Sequence, residues 1–225
     1  MNKIVYRTGM LSSVLCLISF VVWIIAFVGI TAISPLFLCT NMTDYIDFVN
    51  SYNQFFQYLA KSFMIIFSLS FIILAFVFNE IVEVERKLLS KLALAFAIMF
   101  ATLSCLHYWV QVTSVRWALE EEVYAGLQHF LQSYPRSFSS SVNMFAWTVL
   151  LGLSNLLFYI AFKPERNFKS VKIALLIIAF SCLIATIGFL LQIDFITFLC
   201  INIGLGLGFF WLTISSIRYF IKIKV

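Results

Sequence analysis

Charge is the scarcest property of this chain. Asp, Glu, Lys and Arg make up 11% of its 225 residues, against roughly a quarter in soluble domains, while hydrophobic residues make up 63%. A water-soluble fold of this length cannot hide that much apolar surface, because a core of this size still leaves a large area facing solvent. Mean hydropathy is correspondingly high, at +1.02. The pI near 9.0 does not signal nucleic acid, since no block of five or more Lys and Arg exists to track a phosphate backbone.

Other absences exclude chemistries. The five cysteines, Cys16, Cys39, Cys105, Cys182 and Cys200, contain no C-x-x-C pair, so neither a zinc site nor a thioredoxin-like motif is supported. They read as small apolar packing residues, with a disulfide among Cys39, Cys105 and Cys200 as the alternative. Two histidines, His107 and His129, are too few for bis-histidine ligation of two haems. There is no H-E-x-x-H and no G-x-S-x-G. No apolar stretch carries a pair of carboxylates, which argues against a carboxylate-relay pump. No metal and no cofactor is expected.

What is present is six apolar stretches of near-bilayer length, at about 11–33, 59–79, 92–113, 142–162, 171–191 and 196–219. Their apolarity is continuous rather than alternating, which predicts helices and not barrel strands. The first is too long for a signal-peptide core and is read as a retained helix. The expected fold is all-α: one polytopic membrane domain over 1–225, six transmembrane helices in one bundle, surrounded by a lipid bilayer (the inner membrane in a bacterial host).

The cations fall in the gaps, and unevenly. Lys3, Arg7, Arg86, Lys87, Lys91, Lys163, Arg166, Lys169, Lys172, Arg218, Lys222 and Lys224 flank one side, and Lys61, Arg116 and Arg136 the other. The positive-inside rule then puts both N- and C-termini in the cytoplasm, as an even number of spans requires.

Two longer connections fall on the outer side. In the second, Val123, Leu127, Phe130 and Leu131 recur at helical spacing opposite Glu120, Glu121, Gln128 and Gln132, which predicts an amphipathic helix ended by Pro135. In the first, Asn41-Met42-Thr43 matches the N-glycosylation acceptor pattern, a short and unspecific one. A tight turn at Gln192-Ile193-Asp194 makes the last two spans antiparallel neighbours.

Polar residues inside apolar spans are default candidates for function, because hydrocarbon gives them no partners. His107, Gln111 and Ser114 share one helix face, with Tyr108 and Arg116 on the adjacent stripe and Glu120 one turn beyond Arg116. Asn143 and Asn202 lie near the outer ends of the fourth and sixth spans. These residues predict an outward-facing polar pocket of His107, Gln111, Arg116, Asn143 and Asn202, binding or moving a small-molecule or lipid ligand. The bland reading of His107 is helix packing through a hydrogen bond. Asn155 is read as interhelical glue, and Gly204 with Gly208 as a small-xxx-small packing face rather than a nucleotide loop. Lys61 either snorkels to the interface or pairs with an outer acid such as Asp194. Two alternatives accompany the ligand-binding reading: a structural partner using the glycine face and the amphipathic helix, and an intramembrane enzyme with His107 as acid/base. A non-enzymatic protein is favoured, since spacing specifies no second catalytic group.

Overall fold

The computed structural model describes residues 3–35, 37, 39–163 and 168–222. Arg166 and Lys224 of the charge pattern lie outside that set. Among the described residues there are helices and turns and no strand. Six helices are long and apolar enough to cross a membrane: α1 (Lys3–Ile33), α3 (Phe55–Ile81), α4 (Val84–Glu120), α5 (Phe138–Ala161), α6 (Lys169–Leu190) and α7 (Asp194–Lys222). A shorter helix, α2 (Met42–Ser51), lies between the first two. Each long helix extends past its apolar stretch at one or both ends. Flanking Lys, Arg and Glu are good helix formers, so hydropathy marks the apolar core of a helix and not its ends.

The long helices pack in chain order and close into a ring: α1 on α3, α3 on α4, α4 on α5, α5 on α6, α6 on α7, and α7 back on α1. Short connections force the α3–α4, α5–α6 and α6–α7 pairings. Both chain termini therefore share one end, the terminal end, where Tyr6 meets Phe220 edge-on at 6.4 Å. The two long connections share the opposite end, here called the loop end.

Phenylalanine fills the ring from its middle to the terminal end. Phe67 stands edge-on to Phe209 at 4.9 Å, Phe71 to Phe100 at 5.8 Å, and Phe78 to Phe158 at 5.7 Å. Phe162, Phe168 and Tyr219 continue the stack. The six paired phenylalanine rings are fully buried, and their edge-to-face contacts add about 0.5–1.5 kcal/mol each beyond burial. Hydroxyls tie the helices laterally: Ser68 to Ser104 at 2.9 Å, Ser154 to the Ala93 carbonyl at 2.9 Å, and Ser170 to Ser215 at 2.7 Å.

Glycines set the closest approach between α6 and α7. A Cβ on Gly204 would lie 2.4 Å from the Ser181 hydroxyl, and one on Gly208 would lie 2.6 Å from an Ile178 side-chain carbon. Asn155 donates to the Leu151 carbonyl of its own helix at 2.8 Å. The bridge to the neighbouring helix comes from the adjacent Ser154 instead. All five cysteines carry free thiols.

The loop end departs from the sequence expectation. No amphipathic helix forms over Val123 to Leu131. α4 runs on to Glu120, and the chain then turns repeatedly, with a single 3-10 turn at Leu127–His129. Glu122 (φ 57°) and Gly126 (φ 77°) both adopt the left-handed region, which interrupts any helix there. Leu127 and Leu131 are still buried, against Cys39, Tyr45 and Val115, while Val123 and Phe130 stay exposed. The apolar spacing thus serves a small second core built from turns. The first long connection holds α2, whose N-terminus is capped by Asn41: its side-chain oxygen accepts from the Asp44 amide at 2.9 Å. The glycosylation-like Asn is therefore a helix cap.

Candidate functional site

Towards the loop end the phenylalanine packing gives way to polar side chains and open space. Three π-helical segments lie at this level: Gln111–Val115 in α4, Phe145–Leu150 in α5 and Leu199–Leu205 in α7. A π turn widens the helix and misaligns its backbone bonds, and such turns are enriched at functional sites. Polar side chains fold back onto carbonyls there: Thr113 onto Trp109 at 2.7 Å, Thr148 onto Met144 at 2.7 Å, and Asn202 onto Phe198 at 3.0 Å.

Two neighbouring, partly open pockets, an upper and a lower lobe, lie at the widened level. The upper lobe, about 240 Å³, lies beneath the connection between α1 and α3 and has Lys61, Gln57, Gln111 and Gln132 in its wall, with Tyr45 and Phe48 of α2. The lower lobe, also about 240 Å³, lies between α1 and α7, with Tyr108, Gln132, Asn143, Trp147 and Asn202 among apolar residues. Gln132 belongs to both walls and so stands at the boundary between the two lobes. Phe20 and Met64 form part of the lower lobe, deeper than Phe27 and Lys61 on the same helices.

Several buried polar atoms here have no hydrogen-bond partner in the protein: Gln132 Oε1, Ser133 Oγ, Asn143 Oδ1, Trp147 Nε1 and, next to Gln132, His107 Nε2. The Tyr108 hydroxyl lies within interaction range of the Asn143 and Trp147 side chains, as Gln132 does of His107. An unpaired buried donor or acceptor costs about 1–3 kcal/mol, so native structures keep few of them. Four of them, on Gln132, Ser133, Asn143 and Trp147, border the cavity, while Asn155 Oδ1 and Ser216 Oγ are unpaired away from it.

The residues singled out from sequence separate into different places. Asn143 and Asn202 share the lower lobe. Gln111 lines the upper lobe but holds the loop: its amide nitrogen donates to the Phe130 carbonyl, and its oxygen accepts from the Gln132 amide at 3.2 Å. His107 shares a 2.9 Å hydrogen bond with Ser139 and borders a separate, apolar cleft with Phe130 and Phe138. Arg116 lies outside both lobes, half-exposed and paired with Glu120 at 2.7 Å. Lys61, Tyr108, Gln132 and Trp147 join the site in their place. The spacing of Gln132 puts it on the polar face of a helix that does not form, so periodicity hides its role. Lys61 lies one turn beyond Gln57 on α3, an i, i+4 pairing that does place both on one helix face.

Of the surfaces named for a structural partner, Gly204 and Gly208 pack against α6, and residues 123–131 form turns in place of an amphipathic helix. Among the described residues no group of three or more His, Cys, Asp or Glu side chains could hold a metal ion. No known protein family matches the chain, and searches of curated proteins and of solved structures find nothing similar to it.

Proposed function

We propose that this chain is a multi-pass membrane protein whose loop end faces outward and whose two-lobed cavity binds a small or lipidic amphiphile. The exposed faces of the long helices carry Leu11, Ile18, Ile25, Leu106, Phe180 and Leu207, a surface suited to acyl chains and not to water. The cation asymmetry puts the termini in the cytoplasm, which leaves the cavity opening towards the outer leaflet. One observation carries the binding reading: buried side-chain atoms of Gln132, Ser133, Asn143 and Trp147 that lack a close hydrogen bond border the cavity, where a ligand or its bound water supplies the partners.

The test uses Trp147→Phe with Gln132→Met, which remove unpaired polar atoms while keeping bulk. Thermal unfolding of purified protein is followed with and without fatty acids, lysophospholipids and long-chain alcohols. Groups kept for a ligand lower the stability of the empty protein. The double variant should therefore unfold at a higher temperature than wild type when empty and lose any ligand-induced shift. A variant that is destabilised when empty and still responds to the same compounds would refute the reading.

A further inference from the structure

Resting on the cavity reading above, we infer that the upper lobe recognises an anionic oxygen head, a carboxylate or a phosphate, through Lys61. Lys61 is in the wall of that lobe, under a roof that includes Pro35, Tyr45 and Phe48. A snorkelling lysine is largely exposed at the interface; Lys61 is only partly so. Its expected partner, Asp194, lies elsewhere, beside Arg136 and Gln192. The ion pairs among the described residues are Arg116 with Glu120 and Lys163 with Glu83, so none involves Lys61. The acids of the roof are also turned away: Asp44 is bound by Thr40 and Asn41, and Asp47 is exposed.

Lys61 Nζ lies 5.8 Å from the centre of the Tyr58 ring. Among the described residues lining the lobe Lys61 is the one charged side chain, with no carboxylate beside it, so the lobe is positive on its account. An ammonium partly withdrawn from water without a counter-charge is costly, and an ionisable group in a membrane-spanning segment marks a binding site by default. An anion entering the lobe meets that cation together with the side-chain amides of Gln57 and Gln132. Apolar walls continue from Phe27 and Ile30 into the lower lobe at Phe20, Trp23 and Met64. Head above and chain below is the arrangement of an amphiphile in an outer leaflet. A free anion would use the head position alone.

The experiment uses the full chain in detergent micelles and a dibrominated stearic acid, whose bromines quench the fluorescence of nearby tryptophans such as Trp23 and Trp147. Its methyl ester has the same chain without the charge. Wild type should show saturable quenching by the acid at roughly ten-fold or more lower concentration than by the ester, the range of a charge-assisted hydrogen bond. Lys61→Gln should weaken the acid to the level of the ester and leave the ester unchanged, while Lys61→Arg keeps the preference. The unfolding midpoint of each variant checks that it is folded. An acid preference that survives in folded Lys61→Gln overturns the Lys61 assignment and leaves the cavity reading standing. Absence of saturable quenching by either compound overturns the cavity reading itself. Inorganic phosphate that displaces the acid from wild type and has no effect on Lys61→Gln supports the charge assignment and identifies a free anion as the occupant. Phosphate that fails to displace the acid from wild type assigns the head to a chain-bearing molecule.

Discussion

Replacing Gln111 by Leu tests the most connected polar side chain at the loop end. Gln111 is buried and reaches three groups from one amide: the Phe130 carbonyl, the Gln132 amide at 3.2 Å and the Ser139 hydroxyl at 3.4 Å. Leucine fills a similar volume and makes none of these bonds. The Ser139 hydroxyl keeps His107, so its loss is small. The Phe130 carbonyl and Gln132 amide lose a side-chain partner that no backbone bond replaces. At about 1–3 kcal/mol for each of the two abandoned groups, the variant should lose roughly 2–6 kcal/mol, with water in the upper lobe favouring the lower figure. Hydrogen exchange locates the damage. Protection should fall sharply over residues 127–134, which Gln111 pins to α4, and remain at wild-type levels around Phe71, Phe100 and Phe158 in the phenylalanine core. Thr113→Val is the control, because Thr113 bonds back onto its own helix at Trp109, and a change there should stay within about 0.5 kcal/mol. Unchanged exchange over 127–134 in folded Gln111→Leu would refute the latch, and uniform loss across the chain would show that Gln111 supports the whole ring rather than the loop.

Two further outcomes follow from packing and exposure. Gly208→Leu places a side chain against Ile178, including its backbone nitrogen at 3.4 Å from the Cβ position, so α6 and α7 must separate; the expected loss is about 3 kcal/mol or more, and an unfolding midpoint equal to wild type would show that the two helices do not rely on close approach. On intact cells an impermeant maleimide should label Asn50→Cys at the loop end and reach Lys163→Cys after lysis alone, and the reverse pattern would invert the orientation. Native Cys39 gives that labelling a pH signature. Burial first, and the nearby Asp44 carboxylate second, push its thiol above the ordinary range, so it stays protonated where the exposed thiol of the Asn50→Cys variant has begun to ionise. Its labelling rate should lag at mildly alkaline pH and rise only as pH climbs through the raised value; a rate matching the introduced cysteine throughout would contradict its burial.

The helices were legible because hydropathy is a local, one-dimensional property. Runs such as Leu11 to Ile33 announce themselves, and Gly204 with Gly208 announce a close neighbour without saying which. The failure at Val123 to Leu131 is instructive. The apolar spacing there was real, and Leu127 and Leu131 are buried, but Gly126 and Glu122 turn the backbone and Gln111 captures carbonyl and amide groups that a helix would have used internally. A side chain more than a dozen positions upstream decided the local structure, which periodicity within the segment cannot register.

The same distinction separates the membrane from the site. Composition, the lengths of the apolar runs and the placement of cations are sums over neighbouring residues, and they sufficed for six long helices and an expected orientation. Which polar atoms would be left without partners depended on how α1, α3, α4, α5 and α7 close around one another. Lys61, Gln132, Asn143 and Asn202 are far apart along the chain and border one cavity because the ring curves back on itself. Hydrophobicity acts on each segment against its solvent and so can be read segment by segment. Hydrogen bonding is settled pair by pair in space, and the folded ring alone determines which pairs meet and which groups are left facing the cavity.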